Sequence, residues 1–131
     1  MKIKFLSAVG LAVSLLFSAL VSAQSDYGYF GFNSDIVTNY IRKGYKIGYV
    51  RITAEIMING NSNLELVEHH APLLEAEIVN ILGKQPEEKI KSLAGREEIR
   101  IHCLEAINKL LERETGARLA TDLLFTKYLY Q

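Results

Sequence analysis

The stretch KIGYVRITAEIMI, residues 46–58, constrains this chain more than any other. Val50, Ile52, Ala54, Ile56 and Ile58 alternate there with Tyr49, Arg51, Thr53, Glu55 and Met57. Successive side chains of a strand point to opposite faces. A period of two over this length therefore specifies a β-strand with one apolar, buried face and one mixed face that meets solvent or a partner. A sheet that buries one face needs a second layer laid on it.

The sequence supplies that layer as helices. Asn59-Gly60-Asn61 ends the strand, because these residues tolerate positive φ. Ser62 or Asn63 can cap a helix that runs to Leu82 and stops at Gly83, with Val67, Ala71, Leu74, Ile78, Ile81 and Leu82 as its apolar stripe. Pro72 lies inside it, removes a backbone donor and crowds the preceding turn, so a kink near His69 is expected. Pro86 opens a short helical piece, Glu87 to Leu93, which Gly95 ends. A third helix spans about Arg96 to Glu114, with Ile99, Cys103, Ala106, Ile107, Leu110 and Leu111 on one face and Gly116 as its stop.

Strands flank this helical block. Asp35 to Ile41 reads as a short strand joined to the long one by a turn at Arg42-Lys43-Gly44. The ending LATDLLFTKYLYQ reads as another strand, with Leu119, Thr121, Leu123, Phe125, Lys127 and Leu129 on one face and Ala120, Asp122, Leu124, Thr126, Tyr128 and Tyr130 on the other. Residues 24–34, QSDYGYFGFNS, read as a linker whose Tyr29, Phe30 and Phe32 cover one end of the core. The order is β-β-α-α-α-β: a small α+β domain, helices packed on one face of a sheet of about three strands.

Ahead of that domain, Lys2 and Lys4 precede the uncharged run Phe5–Ala23. Basic start, apolar centre and the small-residue ending Val21-Ser22-Ala23 fit a secretory signal peptide cut between Ala23 and Gln24. As a helix the run would also cover about 28 Å, nearly the thickness of the hydrocarbon layer, so an uncleaved signal-anchor is the rival reading. The serines that dilute the run, and the lack of a basic cluster beyond it, favour cleavage. Either way the lysines stay cytoplasmic and the rest crosses the membrane. The chain balances 15 basic against 15 acidic residues, and it has no basic stripe of the kind nucleic acid demands. Its single cysteine, Cys103, can form no internal disulfide.

Catalytic and metal-binding candidates are few. His69 and His70 are neighbours, which point about 100° apart on a helix and cannot chelate one ion as an i, i+4 pair could. Glu65 and His69 have that spacing, but no further cluster completes a site. His102 and Cys103 are also neighbours and cannot form a catalytic pair, and Cys103 falls on an apolar stripe, as a buried thiol does. There is no GxSxG, GxGxxG or phosphate-loop motif. The expectation is no enzyme, no metal and no cofactor.

Several residues, in order, resemble the flagellar basal body-associated FliL family over roughly residues 29 to 131. Tyr29-Phe30 and Val37-Thr38-Asn39 sit where that family has an aromatic start and a V-N strand, and Gly48-Tyr49-Val50-Arg51-Ile52 is similar to its Y-L-x-V strand opening. Pro72 and Ile78 match P-x-I-R-D-x-I, and Leu82 its L-L end. Gly95, Ile99 and Arg100 match the G-x-x-x-L-R part of L-x-x-x-G-x-x-x-L-R, with Leu93 two residues ahead of the glycine, and Ile107-Asn108 with Leu110-Leu111 matches I-N-x-x-L. The ending from Leu124 to Gln131 resembles V-Y-F-T-x-F-V-V-Q. Glu75 and Ala76 depart from the pattern, standing where the family usually has arginine and aspartate.

The resemblance implies a periplasmic domain, residues 35–131, of stomatin-like fold, forming a homo-oligomeric ring around MotA–MotB stator units at the flagellar basal body. It implies support for stator engagement, torque, swimming, swarming and chemotaxis, with no catalytic residue. The domain would be soluble in the periplasm after cleavage, or held by a single pass of the inner membrane without it. The expected contact surfaces are the outer strand face (Tyr49, Arg51, Thr53, Glu55, Met57) and the kinked helix around Pro72. The alternative is a periplasmic envelope-adaptor or ligand-binding domain on the same scaffold, unrelated to the motor.

Overall fold

The computed structural model describes residues 26–44 and 46–131. The expected cleavage point, Ala23 and Gln24, lies outside the described residues. The elements follow in the order β1 (Tyr27–Gly31), β2 (Ile36–Arg42), β3 (Lys46–Asn59), a 3-10 turn (Asn61–Asn63), α1 (Leu64–His69), α2 (Ala71–Gly83), α3 (Glu87–Lys91), α4 (Leu93–Thr115) and β4 (Ala120–Tyr130). The α+β class expected from the sequence is the class observed.

All pairing centres on β3, whose 14 residues extend about 43 Å. β4 runs antiparallel along one edge of β3, from Val50 to Ile58. β1 pairs with residues 55–59 and β2 with residues 46–52 of the same strand, both antiparallel. A strand has two edges and β4 holds one, so β1 and β2 lie end to end on the other. The sheet has four strands instead of about three, but it is only three strands wide at any level.

The additional strand, β1, lies in the stretch read as a linker. Glycines at 28 and 31 hide it, since glycine weakens a strand and carries no pattern. Gly28 has a packing reason: a Cβ there would come within 2.6 Å of the Leu64 side chain, which lies over it. Of the three aromatics expected to cover one end of the core, Phe32 is buried and Phe30 packs against the core. Tyr29 instead stands exposed on the far side of the sheet, opposite Met57.

Alternation along β3 decides the layering. Val50, Ile52, Ala54, Ile56 and Ile58 are fully buried and meet Val67, Leu74, Ile78 and Leu82 from α1 and α2, Ile90 from α3, and Ile99, Cys103, Ile107 and Leu111 from α4. Each such aliphatic chain withdrawn from water contributes about 1.5–3 kcal/mol. The helical stripes are those that the sequence spacing predicts.

The helix boundaries differ in instructive ways. The first predicted helix is broken at His70, with Pro72 in the first turn of α2, so the expected kink is a full interruption. Asn63 occupies the N-cap of α1 without capping it; its side chain donates to the Asn59 carbonyl (2.8 Å) instead. Gly95 ends no helix. It lies in the first turn of α4, where the Ser92 hydroxyl accepts from its N–H at 3.0 Å. A Cβ on Gly95 would lie 2.2 Å from the Lys89 carbonyl oxygen, so glycine is what lets α3 and α4 touch. Gly116 ends α4 in the left-handed conformation, φ 85°, as expected.

β4 does not alternate as its sequence suggests. The register against β3 skips Thr121 and Thr126, two β-bulges, each of which shifts the following side chains to the other face. Leu123 and Phe125 stay together on the helical face, but Tyr128, which strict alternation puts opposite them, joins them there. Both bulged residues are threonines, and their hydroxyls donate to β3 carbonyls at the break, Thr121 to Met57 (3.1 Å) and Thr126 to Thr53 (3.4 Å).

Three polar contacts tie distant segments together. Buried Asn108 donates to the Ala120 carbonyl (2.8 Å) and accepts from its N–H (3.0 Å), pinning the start of β4 to α4. Tyr40, packed over Gly48, donates its hydroxyl to the Gln131 carbonyl oxygen at 2.9 Å. Arg100 forks onto Glu97 and also reaches Asp122 (2.7 Å) and the Leu123 carbonyl (3.0 Å), tying α4 to β4. Its guanidinium pKa is raised first by Glu97, then by Asp122.

Candidate interaction surface

With the helices on one side, the other side of the sheet is bare. The alternation that buries Val50 to Ile58 turns Tyr49, Arg51, Thr53, Glu55 and Met57 outward together, as the sequence predicts. Tyr49 is 51% exposed. Pro72 does not join them. It is exposed at the start of α2, in the helical layer on the opposite side of the sheet.

Cross-strand register adds residues that the sequence pattern alone did not single out as surface. Val37 and Leu129 flank Arg51 on its two sides, and Ile41 stands opposite Ile47. All four are exposed, Ile41 at 71%. On the half of the sheet nearer β1, Tyr29 faces Met57 and Leu124 faces Glu55. The outer face is therefore two apolar areas with a charged band between them.

Asp35 organises that band. Its carboxylate accepts from the Thr53 hydroxyl (2.8 Å) and from the Lys127 ammonium (3.1 Å), with the Arg51 guanidinium 3.9 Å away. The Thr53 and Lys127 hydrogen bonds hold the Asp35 carboxyl below its ordinary value. The band links the head of β2 to β3 and β4. Asp35 and Lys127 are 92 positions apart, so no local signal could have joined them.

Beside the band, Val37, Tyr49, Arg51, Leu129, Tyr130 and Gln131 line an open depression of about 360 Å³. A second carboxylate secures the nearby hairpin. Glu87 accepts from the Lys43 backbone N–H (3.0 Å) and pairs with Lys91 (2.6 Å) and Arg42 (3.5 Å). Lys91 first, then Lys43, holds its pKa down at about 2.

The residues screened for chemistry fall elsewhere. Cys103 is fully buried on the α4 stripe, and burial pushes its thiol up to about 12, far from a reactive thiolate. His69 and His70 rings contact edge to face at 5.0 Å beside the helix break. Among the described residues no three His, Cys, Asp or Glu side chains are grouped to hold a metal ion. None of the described helices is long and apolar enough to cross a membrane.

Residues 29–131 match the model of the family described as flagellar basal body-associated protein FliL. The chain is also 26% identical, over 83 residues, to the flagellar protein FliL of Aquifex aeolicus (strain VF5), an overlap covering 63% of this chain and 49% of that relative. The chain thus spans about half the length of the curated relative it matches. The family match takes in β2, β3, β4 and every helix described above, together with the bare sheet face. This chain belongs to the flagellar basal body-associated FliL family.

Proposed function

We propose that the protein is a non-enzymatic accessory of the flagellar motor, which supports stator engagement and torque and, through them, swimming, swarming and chemotaxis. The observation that carries this reading is the family match over residues 29–131. The proposed place of action is the periplasmic side of the inner membrane at the basal body. The proposed partners are the MotA–MotB stator and further copies of the chain in a ring.

The architecture suits binding. Helices cover one face of the sheet, leaving Tyr29, Val37, Ile41, Ile47, Tyr49, Leu124 and Leu129 in water on the other. Exposed apolar area rimmed by charge is what protein-binding surfaces present. Deleting the gene is expected to lower swimming speed in viscous medium and to reduce stator occupancy. Unchanged speed together with unchanged occupancy would contradict the motor role.

A further inference from the structure

We propose that the depression around Arg51 receives an acidic segment of a partner protein, in which an aspartate or glutamate is flanked by aliphatic or aromatic residues. Charge at the depression is unbalanced. Among the described residues the Arg51 side chain makes no hydrogen bond, and its one ion pair is the 3.9 Å approach to Asp35. Asp35 is already engaged by Thr53 and Lys127. The Arg51 side chain is 57% exposed, so its forked N–H donors remain available to a bidentate carboxylate.

Apolar and aromatic side chains wall it in. Val37 and Leu129 stand on either side of Arg51, and Tyr49 completes the rim. An arginine set among tyrosine and aliphatic side chains has the composition of a binding hot spot, where apolar neighbours exclude water from the charge pair. The volume of about 360 Å³ accommodates one large side chain and part of its neighbours.

Position sets the depression apart from the start of the described chain. Tyr27, the start of β1, pairs with Asn59 at one end of β3. Arg51 is eight positions back along that strand, roughly 26 Å away. The depression and the N-terminal end of the described chain therefore occupy separate parts of the sheet.

The test pans a displayed library of random 12-residue peptides on the full chain in mild detergent. Enriched peptides are expected to carry Asp or Glu beside Leu, Ile, Val or Phe. Arg51→Glu should weaken their binding on the order of tenfold or more and shift the preference to Lys- or Arg-containing peptides. Arg51→Lys should retain part of it. Leu129→Asp, which puts a carboxylate opposite Arg51 to occupy its guanidinium and repel an acidic peptide, should weaken it as well. A thermal melt of each variant checks that the fold is intact.

Enrichment without acidic residues, or binding indifferent to Arg51→Glu, overturns the proposal. So does Arg51-dependent self-association with no acidic peptide enriched, which would give the face to a second copy. Arg51-dependent binding to phosphatidylglycerol vesicles in place of peptide would give it to lipid and overturn the proposal equally. The proposal rests on the motor-associated reading only for where the partner is found. Panning tests the depression and the deletion strain tests the motor, so each can fail alone.

Discussion

The two faces of the sheet share the same strands but follow opposite chemical rules. On the helical face of β3, five consecutive inward positions are aliphatic or alanine and fully buried. On the bare face, the interleaved positions carry a tyrosine, an arginine, a threonine, a glutamate and a methionine, and their polar contacts run among side chains at the surface. The inner face secures the fold. The outer face has apolar area that folding leaves uncovered, and this is the physical reason to propose a partner for it.

The sharpest way to break that division is to truncate one residue on each side of β3. Ile56→Ala should cost about 2–5 kcal/mol in denaturant unfolding, through lost transfer energy and the cavity left behind. Arg51→Ala should stay within about 0.5 kcal/mol of the parent. Equal losses would mean that the outer face is structural too.

Two predictions sharpen the account of the inner side. Gly95→Ala drives a Cβ into the Lys89 backbone, which cannot rotate away, and should cost about 1–3 kcal/mol and loosen α3 from α4. Amide-exchange protection in α3 that matches the parent would contradict that. Asn108→Ala leaves the buried N–H and C=O of Ala120 without their partner and should cost about 1–3 kcal/mol, with exchange accelerating at the head of β4.

The smallest expected effect is a pH dependence at Glu87. Its folded-state pKa of about 2 lies below the ordinary 4.5. The unfolded chain therefore takes up a proton at Glu87 before the folded one does. The stability it contributes is present above about pH 4.5 and is lost as pH falls toward 2. Glu87→Gln should flatten that part of the stability profile and leave its shape at pH 6–8 unchanged. An unaltered acid limb would show that the contacts with Lys43, Arg42 and Lys91 are not felt.

How much of this is legible in the sequence follows the same division. Periodicity shows the long strand, the helical stripes and the outward set from Tyr49 to Met57, because burial alternates with geometry that is local. It misses what depends on contact between distant segments. Gly28 reads as part of a linker and Gly95 as a helix stop, yet one admits the Leu64 side chain and the other the Lys89 backbone. The bulges at Thr121 and Thr126 carry no marker in the sequence, so strict alternation puts Tyr128 on the wrong face. Val37, Leu129 and Lys127 become part of the candidate surface only through register, and Asp35 only through its contacts with Thr53 and Lys127. Pro72 draws notice as a helix breaker, and breaking the helix is what it does; it lies away from the bare face.

The central claim is that the bare face works in the motor while the fold stands without it. Its most direct test is swimming speed in viscous medium for cells carrying Tyr49→Ser, Arg51→Glu and Leu129→Ser together, with protein level and melting temperature matched to the parent. The account predicts a fall to the speed of the deletion strain. Parental speed from these cells, in a strain whose deletion swims slowly, would contradict it.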